Sequence, residues 1–428
     1  MADARKLHPL PVPAGARATE ILPALRRALD GSGPALLPVP ESEPTAGRHI
    51  AEALGADEPL GPGEDDSEDP TALVIATSGS TGTPKGVLLS ISALRASATA
   101  THRFLRGAGH WLLAMPAQHI AGIQVLVRSL LAGTSPTAID TTAGFRPDIF
   151  AEAFQRMPAG DGPRYTALVP TQLSRLLDDG DSHGNHSSDH SGDHSGAGAG
   201  LRALRAFDAV LLGGAATPPA LLRRARDAGV RVVTTYGMSE TAGGCVYDGT
   251  PLEGAAVHIG DRSDDSESSD SQSGDSESGV ISLSGPMLAR GYRRLPDTTA
   301  FTGGWFRTGD LGRWRDGLLE VLGRADDIIV TGGVNVAPGP VERVLSEHTT
   351  VREACVLGVD DPEWGQAVVA AVVPTDPSAP PPVDYLRAAV REHAGTAATP
   401  KRIAVLPRLP LRGPGKPDRQ AIREALSG

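Results

Sequence analysis

Cysteine is scarce: only Cys245 and Cys355 occur in 428 residues, too few for a disulfide framework. No run of about 18 apolar residues is present, so no membrane span is expected. Residues 1–13 lack the apolar stretch of a signal peptide. Both absences, with the two cysteines, fit a reducing cytoplasm. Aromatics are sparse at 4%, while Ala, Gly and Pro are abundant, which reads as coding bias rather than function. No basic stripe points to nucleic acid. The net charge of −11 is concentrated: Asp261 to Gly279 holds seven acids against one arginine, and Asp181 to Gly200 holds three aspartates unopposed. The remainder is close to neutral, so the acidity says nothing about a substrate.

What is present centres on TSGSTGTPKG at 77–86. It follows an apolar run, Ala72 to Ala76, that reads as a buried strand. It precedes Val87 to Ala98, whose apolar spacing predicts a helix. A Gly/Ser/Thr-rich turn there offers backbone N–H groups and hydroxyls, and Lys85 adds a positive charge, chemistry suited to polyphosphate. It is not a Walker A loop, because Pro84 precedes the lysine and Gly86 follows it. An ordinary flexible turn would look the same in isolation.

Phe207 to Leu212, Pro218 to Ala228 and Val230 to Thr235 read as strand, helix and strand, a βαβ unit with a parallel pair. Ligands bind beyond the carboxyl ends of such strands. Gly213-Gly214-Ala215 and residues 235–241 emerge there, and are expected to face the same crevice as 77–86. Trp111 to Met115 and Tyr165 to Val169 read as further strands, and Ala121 to Leu131 as a helix interrupted by Arg128. After Val280 come short β-like segments, then a small α+β region ending near Lys416. His183, His186, His190 and His194 lie in the first acidic tract. They could form a metal-binding cluster, but Gly and Ser would not hold a helix there, and a disordered surface insertion is the better reading.

TSGSTGTPKG, YGMSET at 236–241, TGD at 308–310, GRADDIIVTGG at 323–333 and GKPDR at 415–419 occur in this order. Together they resemble the adenylate-forming superfamily of acyl-CoA synthetases, adenylation domains and luciferases. The resemblance runs from about residue 70 to the end. It implies an α/β fold with a large N-terminal domain of parallel and mixed sheets flanked by helices (1–323, with inserts at 181–200 and 261–279). A small mobile α+β C-terminal domain (324–428) would follow, with a hinge near Asp326. It also implies an AMP-forming acid–thiol ligase using ATP, Mg²⁺ and CoA.

By the same resemblance, Thr77, Ser78, Gly79, Ser80, Thr81, Gly82, Thr83 and Lys85 would cradle the phosphates. Glu240 would hold Mg²⁺, which suits a hard cation that keeps water and phosphate oxygens. Gly214, Thr235, Tyr236 and Gly237 would line the adenine pocket and the adjoining acid site. Asp310 and Arg324 would bind the ribose. Lys416 would be the catalytic lysine, bridging the attacking carboxylate and the α-phosphate. Gly332 and Gly333 would line the channel for the CoA thiol. Gly339-Pro340 and Arg412-Gly413-Pro414 depart from the family pattern around the closing loop.

Residues 116–122, Gln124, Arg128 and 167–173 resemble the 2-succinylbenzoate–CoA ligases of menaquinone biosynthesis. His119 would gate the pocket between ATP and acid. Arg128 could pair with a second substrate carboxylate; alternatively it reaches the surface or a local acid. The branch resemblance favours the substrate role. The expected partners are therefore a small carboxylic acid, ATP and CoA, without nucleic acid or membrane span, and with room for a homodimer. The alternatives are another aryl- or acyl-CoA ligase, a carrier-loading adenylation enzyme, or a degenerate adenylate-binding protein.

Overall fold

The computed structural model describes residues 5–78, 84–160, 162–181, 198–260, 278–296, 298–412 and 416–427; of Ser78, Asp181, Arg412, Lys416 and Ser427 it describes the backbone alone. The histidine tract and the acidic tract therefore lie outside the described residues.

The first sheet runs Leu7–Val12, Ala35–Pro40, Thr71–Ser78, Pro84–Ser90 and Gly291–Tyr292, with the first three parallel and the last two pairings antiparallel. The helix expected from Val87 is not there. Pro84–Ser90 is a strand that pairs back along Thr71–Ser78, and the helix begins at Ile91, running to Phe104. Val87, Leu88 and Leu89 are all buried, and a short apolar run buried on both faces does not distinguish strand from helix. Ser90 starts the helix, its hydroxyl accepting the Ala93 N–H at 3.2 Å. The segment expected between a strand and a helix therefore lies between two antiparallel strands, and the helix starts only at Ile91.

The second sheet has seven strands: Thr250–Pro251, Gly243–Tyr247, Val232–Met238, Ala209–Leu212, Arg164–Leu168, His110–Leu113 and Thr137–Ala138. The expected βαβ unit is present, with Pro219–Asp227 crossing between the parallel strands Ala209–Leu212 and Val232–Met238. Helices Ile91–Phe104 and Ile120–Ala132 lie between the two sheets. Leu73, Ile75, Val87 and Leu89 from the first sheet share one core with Leu94, Ala98, Ile123 and Val127 from the helices and Trp111, Leu113 and Leu211 from the second. That double contact explains why Ile120–Ala132 is apolar around its circumference. Leu112, Val210 and Leu212 point to the other face, onto Phe150, Phe154, Leu176 and Phe207, as the two-residue period of a strand requires.

An antiparallel sheet of Ala256–Ile259, Gly279–Ser284, Trp305–Arg315, Phe301–Thr302 and Leu318–Arg324 completes the large domain. The turn Ala325–Asp327 leads from it into a smaller sheet of Ile329–Thr331, Val334–Val336, Gly365–Pro374, Val351–Asp361 and Arg402–Val405. Helices Pro338–Glu347 and Val383–Ala394 cover one face of this sheet, and Arg419–Ser427 the other. Arg343 of the smaller domain pairs with Glu320 of the larger. Cys245 and Cys355 are buried and free. Among the described residues no helix is long and apolar enough to cross a membrane.

Candidate active site

Two parallel strands set one wall. Leu212 and Thr234 are register partners, so Gly213-Gly214 leaves the sheet beside Thr235, whose hydroxyl is 3.3 Å from the Leu212 carbonyl. Thr235, Tyr236 and Gly237, expected to emerge from the strand, instead continue it to Met238, paired with Gly243–Tyr247. Gly237 is required by space: a Cβ there would lie 2.2 Å from the Gly243 carbonyl oxygen. Tyr236 donates its hydroxyl to Asp310 Oδ2 at 2.8 Å. Asp310, 8% exposed, lies opposite Arg324 in the antiparallel pairing, and Arg324 Nη1 is 3.5 Å from Asp310 Oδ1. Burial, then the Asp310 charge, push the Tyr236 hydroxyl far above its ordinary range, so it stays a donor. Asp310 is held further by its own N–H, which donates to the Thr308 hydroxyl at 3.0 Å. The structure therefore brings Tyr236, Asp310 and Arg324 together.

A second group forms where Ser239–Thr241 meets the hairpin. Thr77 faces Lys85 across the pair, its hydroxyl 3.3 Å from the Lys85 carbonyl. Gly79, Ser80, Thr81, Gly82, Thr83 and the Ser78 side chain lie outside the described residues. Glu240 accepts the Tyr292 hydroxyl on Oε1 at 2.8 Å, and Lys85 Nζ stands 5.3 Å from the centre of the Tyr292 ring. Tyr292 is a site residue that sequence reasoning missed. Its signal was faint: one of five tyrosines, set in an otherwise basic stretch at 290–294. No group of three or more potential metal ligands exists among the described residues. A single carboxylate fits Mg²⁺, which relies on phosphate oxygens and water for the rest of its shell.

A third group lines the long central helix. His119 immediately precedes it in extended conformation and is exposed. Gln124 is fully buried and donates to the Ala242 carbonyl at 2.7 Å, which Ser97 also reaches at 2.8 Å. The Gln124 Oε1 is buried with no hydrogen-bond partner among the described residues. Arg128 follows His119 by nine residues of helix, about 13 Å of rise. It is 3% exposed, and its guanidinium lies 5.1 Å from the Trp111 ring centre. Its Nη2 donates to the Tyr247 hydroxyl at 3.4 Å, while Nε has no hydrogen-bond partner among the described residues. It neither reaches the surface nor pairs with a carboxylate among the described residues. Burial, then the Arg128 charge, push the neighbouring His102 down to about 4.

In the smaller domain, Lys416 pairs with Arg412 across a short hairpin, but its side chain lies outside the described residues. Asp326 sits in the turn between the two domain sheets. Gly332 and Gly333 link Ile329–Thr331 to Val334–Val336 with φ of +56° and +78°; a Cβ on Gly332 would be 2.5 Å from the Trp364 ring. Arg419, from GKPDR, reaches Asp327 at 3.1 Å and Glu342 at 3.1 Å, and donates to the Val356 carbonyl at 2.6 Å.

A large mixed-sheet domain followed by a small α+β domain, with these groups along the strand exits, defines an adenylate-forming enzyme fold. The chain belongs to the AMP-binding enzyme family: residues 20–293 match the AMP-binding enzyme model and 340–416 match the AMP-binding enzyme C-terminal domain. It is 42% identical over 429 residues to a probable 2-succinylbenzoate–CoA ligase of Mycobacterium tuberculosis, covering 99% of each chain. It is 31% identical to a 2-succinylbenzoate–CoA ligase of Geobacillus sp., over 84% of this chain and 70% of that protein. Among solved structures, the o-succinylbenzoate CoA synthetase of Bacillus subtilis in complex with its acyl-adenylate matches 99% of this chain and 89% of its own, at 24% identity and a TM-score of 0.69. That last likeness is one of fold.

Proposed function

We propose that this chain is an ATP-dependent, AMP-forming ligase that converts 2-succinylbenzoate to its CoA thioester in menaquinone biosynthesis, in the cytoplasm. Full-length similarity to a relative of that name supports the assignment, and Arg128 carries it. An unpaired guanidinium buried among Trp111 and Tyr247 is costly. A substrate that brings its own second carboxylate offsets that cost. 2-Succinylbenzoate has two carboxylates, one to be activated and one on the ring.

In the first half-reaction a carboxylate oxygen attacks the α-phosphorus of ATP and pyrophosphate leaves. Lys85 and the hydroxyls of residues 77–83 hold the departing phosphates. Glu240 would hold Mg²⁺, which when bound would neutralise further phosphate charge. Asp310 and Arg324 hold the ribose, Gly214, Thr235 and Tyr236 the adenine, and Gly237 and His119 border the acid. Lys416 bridges the carboxylate and the α-phosphate, placing fixed positive charge where negative charge gathers. In the second half-reaction the CoA thiol sulfur attacks the acyl carbon, AMP leaves, and the thiol proton passes to solvent. Rotation of the small domain (324–428) against the large one (1–323) about Asp326 would bring Gly332 and Gly333 to the thiol channel.

Pyrophosphate release with ATP and Mg²⁺ across a panel of acids tests this. The panel is 2-succinylbenzoate, benzoate, a medium-chain fatty acid and an amino acid, each with and without CoA. Release with 2-succinylbenzoate alone, and its thioester once CoA is added, is the expected result. Preference for another acid keeps the ligase and discards the pathway. No release with any acid points to a non-catalytic adenylate-binding protein.

A further inference from the structure

Three segments distant in sequence converge on Tyr292. Its backbone belongs to a strap, residues 289–293, stitched to the hairpin strand: Tyr292 pairs with Val87, Arg290 N–H donates to the Leu88 carbonyl at 2.9 Å, and Arg293 N–H to the Gly86 carbonyl at 2.7 Å. On its other side the strap holds the Ser239–Thr241 turn, through the Ala289 N–H donating to the Glu240 carbonyl at 2.8 Å. Arg293, 4% exposed, anchors it below by donating to the carbonyls of Leu54 at 3.1 Å and Pro59 at 3.0 Å, and by pairing with Glu64. The Tyr292 ring is fixed edge-on against Phe301, centroids 5.4 Å apart. Little freedom remains to it.

That fixed ring stands between two opposite charges. Its hydroxyl occupies Oε1 of Glu240, and its π system faces the Lys85 ammonium. Glu240 and Lys85 form no ion pair with each other. Left unseparated on adjacent flexible side chains, they would attract, and a direct pair would cancel both charges before a triphosphate arrived. A phenol whose hydroxyl donates to an anion also carries a more negative ring, which strengthens its hold on the cation.

We propose that Tyr292 is a positioning residue that keeps Glu240 and Lys85 apart and aimed, Glu240 for the metal and Lys85 for the phosphates. This rests on the assignment of those two residues given above. It adds that their geometry is set by a third residue, which touches neither the reacting carboxylate nor the α-phosphorus.

Tyr292→Phe keeps the ring and removes only the hydroxyl; Tyr292→Leu removes both. In the full-length chain, Tyr292→Phe is expected to raise the Mg²⁺ concentration for half-maximal pyrophosphate release about tenfold or more at saturating ATP. The KM for the acid and calorimetric binding of ATP in EDTA should stay within about twofold. Tyr292→Leu should in addition weaken ATP binding in EDTA, because Lys85 loses its seat. Tyr292→Phe combined with Glu240→Gln should be no worse than Glu240→Gln alone, since the hydroxyl acts through that carboxylate. Unchanged Mg²⁺ dependence in Tyr292→Phe, or full additivity in the double variant, overturns the positioning role. Unchanged Mg²⁺ dependence in Glu240→Gln would instead remove the metal assignment on which it stands.

Discussion

Arg128 lies 3.4 Å from the Tyr247 hydroxyl, and that phenol is the strongest partner the guanidinium has among the described residues. A buried cation usually answers a buried anion on the same chain. Under the proposed function, the anion would come from the substrate. Arg128→Met should therefore leave the melting temperature unchanged or raise it, since the apolar isostere removes an uncompensated charge. The same change should raise the KM for a dicarboxylic substrate by roughly 10²-fold and leave the KM for ATP alone. Differential scanning calorimetry beside steady-state kinetics reads both. A sharp loss of stability would mean that Arg128 serves the fold.

His102 contributes a stability term of predictable sign. Burial and the Arg128 charge keep it neutral to about pH 4 in the native state, against 6.5 ordinarily. As pH falls from 6.5 the unfolded chain binds a proton that the folded chain refuses, so stability declines with acidification across that window. His102→Gln should flatten the pH dependence of the melting temperature between pH 6.5 and 5, above the range where most carboxylates titrate. An unchanged slope would assign the decline to other groups.

Asp310 answers to both Tyr236 and Arg324. Asp310→Ala should raise the KM for ATP by about 10- to 100-fold, the loss of one or two charge-assisted hydrogen bonds. CoA dependence should not change. Tyr236→Phe should cost about 1–3 kcal/mol of stability, because the buried carboxylate loses its phenolic donor. Denaturant titration measures this.

Lys416→Ala separates the half-reactions. Adenylation should fall at least about 10²–10³-fold, the scale for losing one preorganised charge. Thioester formation from a supplied acyl-adenylate should persist, and single-turnover assays of each step read the split. Equal loss in both would place the lysine in domain closure generally.

The acidic tract should be dispensable. Ile259 and Ile281 are register partners, and the Gly260 N–H donates to the Val280 carbonyl at 3.0 Å, so the tract connects two paired strands. Replacing residues 261–279 with Asn-Gly, so that a favoured two-residue hairpin turn joins Gly260 to Val280, should leave kcat within about twofold. Lost turnover in a folded variant would give the tract a role.

The ordered motifs, the βαβ unit and the placement of Glu240 just past a strand end were legible from the chain alone, whereas Tyr236, expected beyond the strand, lies within it. Each rests on turn chemistry and periodicity within a few dozen residues, and those are local properties. Val87 to Ser90, whose spacing predicts the start of a helix, belongs to the strand Pro84–Ser90, because an apolar run buried on both faces carries no period to distinguish the two. Tyr292 escaped notice for a different reason. Its meaning lies in Glu240, 52 residues away, and in Lys85 on another strand.

By itself, then, the sequence determined the residue types on offer: a Gly/Ser/Thr-rich segment closed by Lys85, then Glu240, Asp310 and Lys416, in the order of an adenylate-forming enzyme. Only the tertiary structure decided which charges are paired and which are left waiting. Tyr236 meets Asp310 across 74 residues, and Arg128 is buried between two sheets without a counter-ion among the described residues. Such relations depend on how sheets and helices pack and in what register, and no local pattern encodes the burial that makes an unpaired charge significant.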